Sequence, residues 1–255
     1  TAGFVSGPFL AARYGYNKGF DVYDESAGKG DHTHRVVTSP KLLALATQWL
    51  TTWHDSASGA PFFLFVHMWD PHYDYRPPPP YDKLFDPDYT GDVTGDRYAV
   101  SKKVRPDMDP RDLAHVIALY DGEIRYTDEH LGRLVAHLRG LGVLDDTLVV
   151  VTADHGEEFF EHGEKGHAKT LYDEIVRIPL VMRYPRRIAR GSTVAEQVRL
   201  IDVAPTILGL AGVARPAGFG NGVGTPEREQ DLSAWLSGQH SAPFPDLTAF
   251  SGMAI

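Results

Sequence analysis

Cysteine is absent from this 255-residue chain. Disulfide bridges and thiolate metal sites are therefore excluded, and the cysteine content says nothing about the compartment. Long apolar runs are also missing, since no stretch approaches the roughly 20 residues that a helix needs to cross a bilayer. The amino terminus carries no signal peptide, so cytoplasm and periplasm both stay open as locations.

Basic residues are in deficit, with 25 Lys and Arg against 34 Asp and Glu, which gives a formal net charge of -9. This balance argues against a nucleic-acid partner, which would favour a basic surface. It does not exclude a small anionic substrate, because local donors matter more than the total charge. The length suits one α/β domain with a large core, and we predict a single domain over residues 1–255.

Predicted strands and helices alternate along the chain, which is typical of α/β proteins. Apolar spacing predicts a helix over Pro40–Trp53 and a longer one that begins at Pro110, is capped by Asp109 and ends near Gly140. A strand is predicted over Phe62–His67. The polar, proline-rich segment 76–109 has no clean periodicity, so we expect a surface excursion near the active site.

Charged residues recur on the long predicted helix. Asp121, Glu123 and Asp128 are interpreted as a charged face with one buried cap.

An apolar run from Leu148 to Val151 stops at Asp154 and His155. Its lack of alternation predicts a strand covered on both faces in a parallel sheet, and such folds place ligands beyond the carboxyl ends of their strands. A carboxylate and a neutral imidazole suit a divalent cation, and Gly156 permits a tight turn beside them. The alternative is a loop aspartate that caps the next helix, with His155 merely exposed.

Cationic side chains follow in the loop before the next apolar run. His162, His167 and Lys169 lie there among several glycines and glutamates. Such donors suit an anionic oxygen of a sulfate or phosphate group.

A second polar cluster follows the strand that ends at His67, and it contains Asp70, His72 and Asp74. Parallel strands of one sheet share an edge at their carboxyl ends, so we expect His67 and His72 to face the predicted metal site. The near-neutral pKa of histidine makes His72 a suitable proton donor to a leaving oxygen. For His67, a hydrogen bond to neighbouring backbone is the competing interpretation.

Several motifs occur together in one order. They are Phe62-Phe-Leu-Phe-Val-His67, Asp70-Pro-His-Tyr-Asp-Tyr75, Tyr120 to Asp128, Thr152-Ala-Asp-His-Gly-Glu157, Glu161-His-Gly163, Gly166-His167 and Arg177-Ile-Pro-Leu180. In this order they resemble the sulfatase family of the alkaline phosphatase superfamily. The resemblance implies an alkaline-phosphatase-like α/β fold, with a mostly parallel central sheet flanked by helices on both faces and its N-terminal part missing.

The resemblance also implies roles for individual residues. Asp154 and His155 would bind the metal, His72 and His167 would be catalytic, and His67, Lys169 and His162 would bind substrate. His162 has a second interpretation, in which it only orders its loop. The place of the family's substrate-binding lysine falls on Ala168, so the choice between His167 and Lys169 as its replacement stays open.

The implied reaction is metal-dependent hydrolysis of a small anionic sulfate ester. One divalent ion is expected, Ca2+ for a sulfatase and Mn2+ or Zn2+ if the enzyme acts on phosphoryl groups. The alternatives are a phosphodiesterase, a phosphonate monoester hydrolase or a phosphoethanolamine transferase of the same superfamily, and a non-catalytic member that binds an anion or a partner. The sequence does not indicate an oligomeric state.

The family keeps an Asp-Asp pair upstream, on its first strand, together with a nucleophile in a Cys/Ser-x-Pro-x-Arg motif at a helix start, and neither appears in the sequence before the motifs named above. Two ligands are fewer than the four to eight that a divalent ion takes. We therefore expect the sequence to be part of a longer chain, and this span alone to bind metal weakly and to be inactive.

Overall fold

A computed structural model describes residues 1–28, 37–56, 59–217, 219, 229–239, 243–249 and 251. The chain divides into two compact units. The first unit contains Thr1–Gly142 and Glu158–Gly166, and the second contains Val143–Glu157 and His167–Ile255. The single domain expected from the sequence stays a prediction. Among the described residues, no helix combines the length and apolarity that a bilayer span requires.

The first unit contains a parallel three-stranded sheet. Its strands are β1 (Ala2–Val5), β2 (Val22–Asp24) and β3 (Leu64–His67), with β1 in the centre. Every residue of β1 is buried, as expected for a central strand. Helix α1 (Ser39–Asp55) packs against β1 and β3. The predicted first helix and the predicted strand before His67 are therefore confirmed, as is the α/β fold class.

The longest element is helix α2 (Pro110–Gly140). Its start matches the sequence prediction, because the Asp109 carboxylate accepts a hydrogen bond from the Arg111 N–H at 2.7 Å. Pro110 occupies the first helical position, where a missing N–H costs nothing. Helix α2 packs against α1 and supplies Val116 and Leu119 to the core of the first unit.

Segment 76–109 contains only two single-turn 3-10 helices as regular structure. It nevertheless buries Val93, Tyr98 and Val104 against α2 and Phe159. The predicted excursion is thus anchored in the core, although its sequence has no periodic apolar pattern.

The remaining elements follow α2 along the chain. They are β4 (Val149–Thr152), β5 (Glu158–Phe159), β6 (Lys165–Gly166), α3 (Asp173–Val176), β7 (Leu180–Arg183), α4 (Val203–Ala211) and α5 (Ser233–Leu236). Strands β5 and β6 form an antiparallel hairpin in the first unit.

One prediction about β4 is wrong. The apolar run was expected to be a strand of the parallel sheet, covered on both faces. In the part of the chain that the structure describes, β4 pairs only with β7, antiparallel, and residues 149–151 are half-buried. A short apolar run carries no information on strand direction, and the chain returns beside β4 at Pro179 to give this pairing.

Candidate active site

The turn after β4 is held against α3 by backbone contacts. The Gly156 N–H donates to the Ile175 carbonyl at 2.8 Å. A Cβ atom at position 156 would lie 2.0 Å from the Glu174 carbonyl oxygen, so only glycine fits. This contact fixes the backbone directly after Asp154 and His155.

Replacing Gly156 with alanine is expected to lower the free energy of unfolding of the protein by about 2 kcal/mol, because the new methyl group overlaps backbone that cannot rotate away. Urea denaturation measures the loss. Gly132→Ala is the matched control, since a Cβ there meets nothing within 4 Å, and helix propensity predicts unchanged or slightly greater stability. Equal effects of the two substitutions would contradict the proposed contact.

The orientation of the His155 ring defines which of its nitrogens can bind a cation. Its Nδ1 lies 2.8 Å from the Gly156 carbonyl oxygen, and a carbonyl oxygen can only accept, so Nδ1 carries the proton. The other nitrogen, Nε2, is then an acceptor, and it lies 3.9 Å from Asp154 Oδ2. Two ligands of one divalent ion, each about 2.0 to 2.4 Å from it, can be separated by such a distance.

Asp154 and His155 therefore fit a divalent cation as two of its ligands. The Asp154 side chain is 77% exposed and the His155 side chain 35%, so the donors are open to an ion from solvent. A backbone carbonyl that fixes the tautomer of a ligating histidine is the usual partner of such a site.

His167 lies beside His155, with 4.1 Å between the ring centroids. Its Nδ1 is 3.1 Å from Oε1 of Glu157, whose side chain is only 4% exposed. The carboxylate holds the imidazole in one orientation. Glu157 is thus a functional candidate, because it fixes the ring of His167.

Lys169 is exposed and lies two residues after His167. Ala168 between them has a left-handed backbone, with φ at 63°. The choice between His167 and Lys169 as the anion-binding residue stays a prediction.

His72 belongs to the first unit. Its ring stacks on Trp69 with the centroids 3.8 Å apart, and its Nδ1 lies 2.8 Å from the Tyr73 carbonyl oxygen. Because Nδ1 donates to that carbonyl, Nε2 is the position at which a proton can be exchanged. The geometry is compatible with the role of proton donor.

The other members of the His67 to Asp74 cluster have structural contacts. Asp70 accepts from the backbone N–H groups of Thr38 at 2.5 Å and Ser39 at 2.8 Å, which ties the loop to the start of α1. Asp74 accepts from the Tyr98 N–H at 3.0 Å. The His67 ring packs against Gly7, where a Cβ would lie 2.7 Å from its Cε1. The carboxylates of Asp70 and Asp74 therefore fix the backbone of this loop to the start of α1 and to Tyr98.

His162 lies on the β5–β6 hairpin, and its side chain is exposed. The hairpin is organised by the fully buried Glu158, whose Oε1 accepts from the backbone N–H groups of His162 at 3.1 Å and Glu164 at 2.9 Å. The role of His162 in substrate binding stays a prediction.

Asp154, His155, His167 and Lys169 are thus in the second unit, whereas His67, His72 and His162 are in the first. The structure brings Asp154, His155 and His167 together. That all seven act on one substrate remains a sequence-based prediction.

Glu123 is the buried member of the charged set on α2, with 3% of its surface exposed. Burial raises the pKa of Glu123 to about 9, and the nearby Asp70 and Asp74 carboxylates add to the rise. The Arg76 N–H, which donates to the carboxylate, acts in the opposite direction.

Known proteins share sequence and fold with this chain. The sequence model of the sulfatase family matches residues 7–213. N-acetylglucosamine-6-O-sulfatase from Bacteroides thetaiotaomicron is 40% identical over 98 residues, which cover 38% of this chain and 17% of that protein.

Solved structures share the fold. A phosphonate monoester hydrolase from Silicibacter pomeroyi superposes with a TM-score of 0.59 at 25% identity, over 80% of this chain and 42% of that one. A protein in complex with its substrate D-glucosamine-2-N,6-O-disulfate gives a TM-score of 0.68 at 19% identity, over 94% and 62%. The chain therefore spans less than two thirds of each of these relatives.

Proposed function

Because the chain belongs to the sulfatase family, we propose that the whole protein hydrolyses small sulfate esters and uses one divalent metal ion to do so. A divalent metal is general in that family. The observation that best supports the proposal is the orientation of His155, whose Nδ1 is bound by the Gly156 carbonyl while Nε2 lies 3.9 Å from the Asp154 carboxylate.

Asp154 and His155 would hold the ion, for which Ca2+ is the proposed identity. When bound, a divalent cation polarises an oxygen of the ester group. His167, held by the buried Glu157 carboxylate, would donate a hydrogen bond to the negative charge that develops on the anion. Lys169 is the second candidate for that contact.

His72 would supply the proton that the leaving alcohol needs. With Nδ1 bound to the Tyr73 carbonyl, the protonated ring can give up only its Nε2 proton. A good leaving group does not need this proton, whereas a poor one does.

The test is to assay the purified whole protein on 4-nitrophenyl sulfate and on the 4-nitrophenyl ester of a phosphonate. We expect kcat/KM to be at least tenfold higher for the sulfate, and we expect activity to be lost on chelation and to return with Ca2+. Higher activity on the phosphonate with Mn2+ or Zn2+ would replace this proposal with the second candidate. That candidate is favoured by the imidazole of His155 beside the carboxylate and by the fold match to a phosphonate monoester hydrolase.

A further inference from the structure

The loop that carries His72 has no helix or strand of its own from Asp70 to Arg76. Its conformation depends on a few anchors. Asp70 fixes the start of the loop to α1, and Asp74 is bound to the Tyr98 backbone. Beyond them, Tyr75 is buried in the core of the first unit.

The last anchor comes from α2. The Arg76 N–H donates to Oε1 of Glu123 at 2.6 Å. Gly122 beside it allows the segment that follows the loop to approach the helix closely, since a Cβ there would lie 2.6 Å from the Tyr81 carbonyl oxygen. A rigid 31-residue helix thus holds the backbone four positions after His72.

The residue of α2 that holds the loop, Glu123, is a buried carboxylic acid. Glu123 is buried, and within the described part of the chain its Oε2 makes no hydrogen bond. A buried acid with an unpaired oxygen is costly. Oε1 compensates in part, because it satisfies the Arg76 N–H.

We propose that Glu123 is a positioning residue for His72, which holds the Arg76 backbone so that the imidazole keeps its stack on Trp69 and its Nε2 in reach of the leaving oxygen. The inference rests on the proton-donor role proposed above for His72. The raised pKa of Glu123 is consistent with it, since the side chain is then an uncharged anchor at neutral pH.

The experiment compares Glu123→Met with Glu123→Gln in the whole protein. Methionine keeps the length of the side chain but removes the acceptor, whereas glutamine keeps a carbonyl oxygen for the Arg76 N–H. Each is assayed on phenyl sulfate, which has a poor leaving group, and on 4-nitrophenyl sulfate, which has a good one.

We expect Glu123→Met to lower kcat on phenyl sulfate at least tenfold more than on 4-nitrophenyl sulfate, with KM nearly unchanged. Glu123→Gln is expected to keep the ratio of the two kcat values within twofold of the original. A purely structural role would lower both kcat values of Glu123→Met by the same factor, and that result would overturn the inference. If Glu123→Met does not fold, Glu123→Asp, which withdraws the acceptor by one methylene, gives the same comparison.

His72→Gln separates this inference from the proposed function. If His72→Gln lowers both kcat values equally, the proton-donor role itself is wrong. If His72→Gln selectively impairs phenyl sulfate whereas Glu123→Met does not, the proton-donor role stands and the positioning role is rejected.

Discussion

Replacing Asp154 with alanine is expected to release the metal ion from the whole protein and to lower kcat/KM on sulfate esters about a thousandfold. The reason is that Asp154 would provide the carboxylate of the proposed ligand pair, and this carboxylate lies 3.9 Å from His155 Nε2. Losing the Lewis acid is worth several kcal/mol of transition-state stabilisation, and about 4 kcal/mol corresponds to that factor.

The measurement pairs elemental analysis with steady-state kinetics. Asp146→Ala is the matched control, because it removes another exposed carboxylate of the second unit, one that contacts Arg186. It should leave metal content and kcat/KM nearly unchanged. An Asp154→Ala protein with full metal content and near-normal kcat/KM would refute the assignment of this residue.

Replacing Glu123 with glutamine is expected to stabilise the protein increasingly as the pH rises. The pKa of Glu123 is about 9 in the folded protein, against 4.5 for an ordinary glutamate. The folded state therefore keeps a proton that the unfolded state has released. The stability linked to that proton is fully present below pH 4.5 and is lost as the pH rises toward 9.

A glutamine at position 123 keeps an oxygen that accepts from the Arg76 N–H, but it has no carboxyl group that titrates. The difference in free energy of unfolding between the variant and the original protein should therefore grow with pH. The slope is at most about 1.4 kcal/mol per pH unit, and the gain between pH 5 and 8 is therefore up to about 4 kcal/mol. Urea denaturation at a series of pH values measures it. Asp128→Asn, on an exposed position of the same helix, is the control. A difference that does not change with pH would show that Glu123 is not buried as an acid.

The regular helices were predictable because their signals are local. Asp109 and Pro110 mark the start of α2, and apolar residues at every third or fourth position carry it to Gly140. The proximity of Asp154 and His155 was also predictable, since a carboxylate and an imidazole follow an apolar strand, whereas their binding of a metal ion stays a prediction. Cap chemistry and periodicity act over a few residues, and a single sequence contains that information.

Non-local pairing was not predictable in the same way. The apolar run of β4 indicates a strand but not its partner, and the antiparallel β7 is supplied by a segment almost thirty residues later. Segment 76–109 has no periodic pattern, yet it buries Val93 and Tyr98. Glu123 is buried because this same segment covers one side of α2. Gly122, beside Glu123, permits that close approach.

Anomalous diffraction from a crystal of the metal-loaded whole protein would show directly where the ion binds. We expect a single anomalous peak at about 2.0 to 2.6 Å from an Asp154 carboxylate oxygen and from His155 Nε2. His155 Nδ1 should still donate to the Gly156 carbonyl. A peak at other residues, with the Asp154 and His155 side chains turned apart, would contradict the proposed site.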